Sequence, residues 1–88
     1  MELNLNNKTA LITGASKGIG KAIAESMAEE GCNLILTARS EDKLIAVKSD
    51  LQKKYNISVE IIAIDLSLKG AAEKVAEFSG NVDILINN

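Results

Sequence analysis

Three glycines carry the first sign of chemistry in the chain. Gly14, Gly18 and Gly20 stand at Gly-x-x-x-Gly-x-Gly spacing inside Thr13-Gly14-Ala15-Ser16-Lys17-Gly18-Ile19-Gly20, between a short apolar run and a helical pattern. A glycine-rich turn joining a strand to a helix suits a phosphate group. Glycine takes positive φ at low cost and lets a ligand approach the backbone. The helix that follows offers unpaired N–H groups and the positive end of its dipole to an anion. The spacing differs from the commoner Gly-x-Gly-x-x-Gly dinucleotide fingerprint. Tight packing of helix on strand is the competing use of such glycines; three of them within one strand-to-helix turn favour the phosphate reading.

Four further polar positions belong to the same question. The residue about twenty positions past the last glycine selects the cofactor, because an acid there binds a ribose 2′-hydroxyl and repels a phosphate. Here that corner is Ala38-Arg39, with no acid. Arg39 offers a planar guanidinium that suits a 2′-phosphate, and Lys17 lies inside the glycine turn. Two cations and no acid favour NADP over NAD. A lone Arg after a strand is ordinarily a solvated loop charge, so the argument rests on the joint position of Lys17 and Arg39. Asp65 has two readings, a cap for the next helix or a contact to an adenine amino group. Asn87 and Asn88 are weak evidence taken alone.

These residues need a scaffold, and the hydrophobic pattern supplies one. Lys8–Thr13 reads as a buried strand and Lys21–Glu30 as a helix, with Gly31 as its left-handed stop. Asn33–Ala38 is uncharged and apolar, a strand buried on both faces. Ser40 is a good N-cap, with Glu41 and Asp42 in the first turn where acids suit the dipole. Leu44, Ile45, Val47, Leu51 and Tyr55 repeat at helical steps, and Asn56 ends that helix. Ser58–Ile64 is a third strand, Ser67 caps a third helix over Leu68–Phe78, Gly80-Asn81 turns the chain, and Val82–Ile86 is a fourth strand. Such alternation predicts an α/β fold, a Rossmann-type doubly wound parallel sheet with helices on both faces. Right-handed crossovers give the strand order 3-2-1-4. The winding then reverses between strands one and four, and ligands bind at such a switch point beyond the carboxyl ends. The glycine turn, the Ala38-Arg39 corner, Asp65 and Asn87-Asn88 all fall at carboxyl ends.

Bulk properties narrow the classes. At 88 residues the chain is at most one small domain, and one of this size buries only about 60–65% of its unfolded surface. Twelve acids against ten bases give a net charge of −2, so no general polyanion-binding surface for nucleic acid is implied. With no His and a single Cys, no zinc site of the usual kind can assemble, and no metal is expected. Cys32 reads as a small buried filler, with a reactive thiol as the weaker alternative. Met1–Asn7 holds no apolar core of signal-peptide length, and no run reaches the ~18 apolar residues that cross a bilayer. The expectation is a soluble, cytoplasmic chain with no membrane partner.

The segment Thr13–Gly20 resembles the cofactor motif of the short-chain dehydrogenase/reductase family. Asp65-Leu66 resembles that family's adenine-pocket pair, and Val82-Asp83-Ile84-Leu85-Ile86-Asn87-Asn88 the lead-in to its Asn-Asn-Ala-Gly segment. The likeness runs along essentially the whole chain in order. It implies that Gly14, Ser16, Lys17, Gly18, Ile19 and Gly20 hold the pyrophosphate and adenosine ribose. It places Lys17 and Arg39 on the 2′-phosphate, Asp65 and Leu66 beside the adenine, and Asn88 and Asn87 along the pocket beside the first strand.

The departures from that pattern matter equally. Members of the family run to about 250 residues, and their catalytic Ser, Tyr and Lys lie beyond the matching region. The Tyr-x-x-x-Lys motif is absent: Tyr55 is followed four residues on by Val59. Residues 1–88 are therefore expected to be the N-terminal, cofactor-binding portion of a longer NADP(H)-dependent oxidoreductase, cut at the end of the fourth strand and holding no catalytic residues. The whole protein is expected to act on a small carbonyl or alcohol substrate as a homo-oligomer. Two alternatives stand beside this: a non-catalytic NADP-binding or regulatory module, and a structural piece whose exposed fourth strand drives self-association. A Rossmann-type methyltransferase fits less well, since it wants an acid near Arg39 for the ribose hydroxyls.

Overall fold

In the computed structural model, which describes residues 5–88, the sheet forms where uncharged apolar runs occur. Residues 1–4, which open the Met1–Asn7 stretch, lie outside the described residues. The chain alternates β1 (Thr9–Thr13), α1 (Gly18–Glu29), β2 (Asn33–Ala38), α2 (Glu41–Lys54), β3 (Val59–Ala63), α3 (Ala71–Ser79) and β4 (Ile84–Ile86). The four strands are parallel in the order β3-β2-β1-β4, as the crossover rule requires. β2 buries its four central residues, and its bounds match those read from the sequence.

The helices divide between the two faces. α1 lays Gly20, Ala24 and Ala28 on the sheet at four-residue steps, and α2 adds Leu44, Val47 and Leu51. With Ala10, Ile12, Leu34, Leu36 and Val59 they make the main core. The opposite face carries a smaller cluster of Leu11, Ile35 and Val75 under α3, with Ile62, Ile64 and Val82 against it. Helices thus lie on both faces.

α1 stops through paired bonds typical of a left-handed helix end: Gly31 N donates to Ala28 O at 2.9 Å and Cys32 N to Met27 O at 3.1 Å. Gly31 supplies the required φ of +86°. Cys32 is fully buried behind it, and burial pushes its thiol above the ordinary value, in keeping with a filler.

Several boundaries differ from the sequence expectation, each for a local reason. α1 starts at Gly18 rather than Lys21, because the glycine turn closes within four residues and Lys17 in extended backbone already serves as its N-cap. Tyr55 is extended and ends α2, one residue before Asn56. It packs against the core with its hydroxyl donating to Glu25 Oε1 at 3.2 Å. Ile45 falls off the buried stripe and is exposed. α3 starts at Ala71 behind Gly70 rather than at Leu68 behind Ser67. β4 shortens to Ile84–Ile86: Asp83 before it still donates its N–H to Thr9 O at 2.9 Å, but its carboxylate rather than its carbonyl accepts Thr9 N, at 2.9 Å. Among the described residues no helix is long and apolar enough to cross a membrane, and no cluster of acidic, His and Cys side chains could hold a metal.

Candidate functional site

A chain of backbone bonds across neighbouring strand ends builds the candidate site. Ala15, fully buried, donates its N–H to Thr37 O at 3.1 Å and ties the glycine turn to the end of β2. Ala38 O accepts from Ile64 N at 2.8 Å and carries the tie on to the end of β3. These bonds align the glycine turn, the Ala38-Arg39 corner and Asp65 along one edge. Between them lies a crevice of about 380 Å³, walled by Gly14, Ser16 and Lys17 on one side and by Asp65, Leu66 and Ser67 on the other. Ala38, Arg39, Ser40 and Lys43 close its third side.

The three glycines do different work. Gly14 and Gly18 take φ of +62° and +59°, the left-handed region that disfavours side chains. A Cβ on Gly20 would overlap the Gly14 carbonyl oxygen and lie 2.8 Å from Asn88 Nδ2, so Gly20 is needed for close packing. A Cβ on Gly18 would meet nothing within 4 Å. The packing reading therefore holds for Gly20, and the open approach to the backbone lies at Gly18.

The electrostatics favour an anion. No side chain caps the first turn of α1 and no acid stands in it, so its leading N–H groups and the dipole keep their positive character. Lys17, Arg39 and Lys43 line the crevice against one carboxylate, Asp65. Asp65 Oδ1 accepts from Ser67 Oγ at 2.6 Å and from Ser67 N at 2.9 Å. These bonds, with a smaller contribution from Arg39, hold its carboxyl below the ordinary 3.8. Asp65 thus caps its own turn and not α3, while Oδ2 is left for another donor. A turn with an open glycine, an uncapped helix start and three cations fits a nucleotide phosphate.

The structure divides the expected residues. Gly14, Ser16, Lys17, Arg39, Asp65 and Leu66 share the crevice. Gly18, Ile19 and Gly20 lie outside its lining on the first turn of α1, with Ile19 72% exposed. Asn87 and Asn88 are engaged elsewhere. Thr13 Oγ1 donates to Asn87 Oδ1 at 3.1 Å and accepts from Asn88 N at 2.9 Å, and Asn88 Nδ2 donates to Gly14 O at 3.3 Å. They fasten β4 to the glycine turn. Asn87 borders a separate apolar hollow between α3 and β4, lined by Leu11, Val75 and Leu85.

Sequence reasoning missed Ser40, Lys43 and Ser67. Ser40 and Ser67 read as helix caps only, and Lys43 drew no reading of its own. The available signal was positional: the first turn of a helix that starts two residues after Arg39 must flank whatever Arg39 flanks.

Comparison with known proteins places these features in a family. The sequence pattern of the short chain dehydrogenases matches residues 8–88. The very-long-chain 3-oxoacyl-CoA reductase of Candida glabrata is 43% identical over 83 residues, which are 90% of this chain and 24% of that protein. The 12alpha-hydroxysteroid dehydrogenase of a Clostridium species is 41% identical over 93 residues, 94% of this chain and 36% of that protein. The crystal structure of L-sorbose reductase from Gluconobacter frateurii, complexed with NADPH and L-sorbose, superposes with a TM-score of 0.86 at 38% identity, over all of this chain and 35% of that one. The chain thus spans from 24% to 36% of the length of these relatives.

Proposed function

We propose, for a chain that belongs to the short chain dehydrogenase family, that it forms the NADP(H)-binding portion of an oxidoreductase acting on a small carbonyl or alcohol substrate. The observation that carries the reading is the crevice itself: Lys17, Arg39 and Lys43 line it, and β2 ends at Ala38 with no acid beside it. The NADPH held by L-sorbose reductase supports it. When bound, the nicotinamide supplies hydride transfer to or from the substrate carbon.

The chain's own residues bind and orient. The first turn of α1 and the open Gly18 backbone take the pyrophosphate. Arg39 and Lys17 take the 2′-phosphate, Arg39 through two parallel N–H donors. Leu66 covers one face of the adenine, and Asp65 Oδ2 accepts from its amino group. An acid at position 39 would repel the phosphate and favour a free ribose hydroxyl. Acid–base chemistry at the substrate falls to groups outside this set, since the chain has no Tyr-x-x-x-Lys. The chain by itself therefore turns nothing over.

Titration with NADPH and NADH, followed by cofactor fluorescence, tests the assignment. NADPH is expected to bind about tenfold tighter, the lower end of what a charge-assisted bond contributes, and Arg39→Asp is expected to reverse the preference. Equal binding of both cofactors that Arg39→Asp leaves unchanged would sink the reading. Turnover by the purified chain would separately refute its role as a binding portion.

A further inference from the structure

Lys43 breaks a local rule. It stands in the first turn of α2, at the positive end of the helix dipole, where a cation is disfavoured. The favourable end already carries Lys53 and Lys54. Lys43 N donates to Ser40 Oγ at 3.4 Å, the cap that fixes this turn beside Arg39. Lys43 lines the crevice, whereas Glu41 and Asp42 of the same turn do not. Among the described residues the one ion pair within 4.0 Å joins Lys54 to Glu25, so Lys43 is in no ion pair, although Glu41 and Asp42 stand in the same turn. A cation set against the helix dipole on the rim of a crevice is a candidate functional position.

We propose that Lys43 is a third specificity-determining cation, acting with Lys17 and Arg39 on the 2′-phosphate, so that the crevice recognises adenosine 2′,5′-bisphosphate without the nicotinamide half. The inference rests on reading the crevice as an NADP site. A phosphate monoester carries about −1.5 to −2 at pH 7. Lys17 and Arg39 meet Asp65 across the crevice, so the two of them leave one net positive charge; Lys43 brings the balance to that of a dianion. A ribose hydroxyl has no use for this third charge. Lys43 therefore discriminates between ligands with and without the 2′-phosphate, and it acts through charge more than through geometry.

Calorimetric titration of the full chain with 2′,5′-ADP and with 5′-AMP tests this, because the pair differs only in the 2′-phosphate. Lys43→Gln is expected to weaken 2′,5′-ADP about fivefold, the ceiling for an exposed ion pair, and to change 5′-AMP by less than about twofold. Lys43→Arg keeps the wild-type preference. Lys53→Gln removes the same charge from the far end of α2 and leaves both affinities unchanged. Thermal melting of Lys43→Gln at or above the wild-type midpoint excludes a merely structural role. If Lys43→Gln binds 2′,5′-ADP as the wild type does while Arg39→Gln weakens it, the assignment of Lys43 is overturned and the NADP reading stands. If the wild type binds 2′,5′-ADP and 5′-AMP equally, both fall.

Discussion

The two faces of the sheet are held by different forces. Under α1 and α2, the face is closed by apolar packing, with Ile12, Leu34, Leu36, Leu44 and Leu51 nearly inaccessible. Under α3, one nine-residue helix serves four strands, and Leu85 at the centre of β4 is 63% exposed. There the strand is fastened at its ends by polar bonds, Asp83 to Thr9 below and Thr13 to Asn87 and Asn88 above. The difference shows where the candidate site draws its rigidity. The glycine turn leads into α1 and is tied to β2, both parts of the closed face, so it is anchored to the better-packed half.

The comparison breaks most visibly in the core. Leu36→Ala on the closed face is expected to cost about 2–5 kcal/mol, a large share of the roughly 5–15 kcal/mol that holds a domain together. Leu85→Ser on the other face is expected to stay within about 0.5 kcal/mol. Urea unfolding midpoints of the two variants measure this, and equal losses would mean that the faces are not distinct.

Thr13→Val asks whether β4 hangs on its staple. Removing the hydroxyl leaves Asn87 and Asn88 without a shared partner and is expected to cost about 1–2 kcal/mol. The loss should appear as faster amide exchange in β4 while β2 and β3 stay protected. Uniform acceleration across the sheet would count against a separately fastened strand.

The smallest expected effect is at Asp65, which is half-buried. Its carboxyl is held below 3.8 in the folded chain, chiefly by Ser67. A lowered folded value contributes stability that is present above about pH 4 and lost as pH falls through the folded value. Asp65→Asn is expected to flatten the fall of the melting midpoint below pH 4 and to leave pH 7 nearly unchanged. An acid limb that keeps its slope in the variant would remove Asp65 as a contributor.

Much of this was legible in the sequence because it is local. The uncharged run Asn33–Ala38 could only be a buried strand, and Gly31 after a helical stripe could only end it. The glycine turn, Arg39 and Asp65 fall together because strand ends of a parallel sheet share an edge. What was hidden depends on distant pairs or competing local bonds. Ser67 looks like a helix cap until Asp65 takes both its donors. Asn87 and Asn88 are bonded to Thr13, 74 and 75 positions away, a pairing that no local pattern displays. Lys43 was invisible because helical periodicity sorts residues into buried and solvated, and a crevice rim is neither.

The central place of β1 also sets an order in time. β1 meets β2 across a separation of 24 residues, Thr9 to Asn33, but meets β4 across 74, Ala10 to Ile84. Closing the longer loop costs about 1 kcal/mol more in chain entropy. A chain emerging amino end first can therefore assemble β1, β2 and β3 under α1 and α2 while the second edge of β1 is still bare. Every residue lining the crevice precedes Lys69, so the whole lining is synthesised before the last strand docks. A ligand that binds then holds together the half-built sheet during the interval in which its open edge is most prone to pair with another chain.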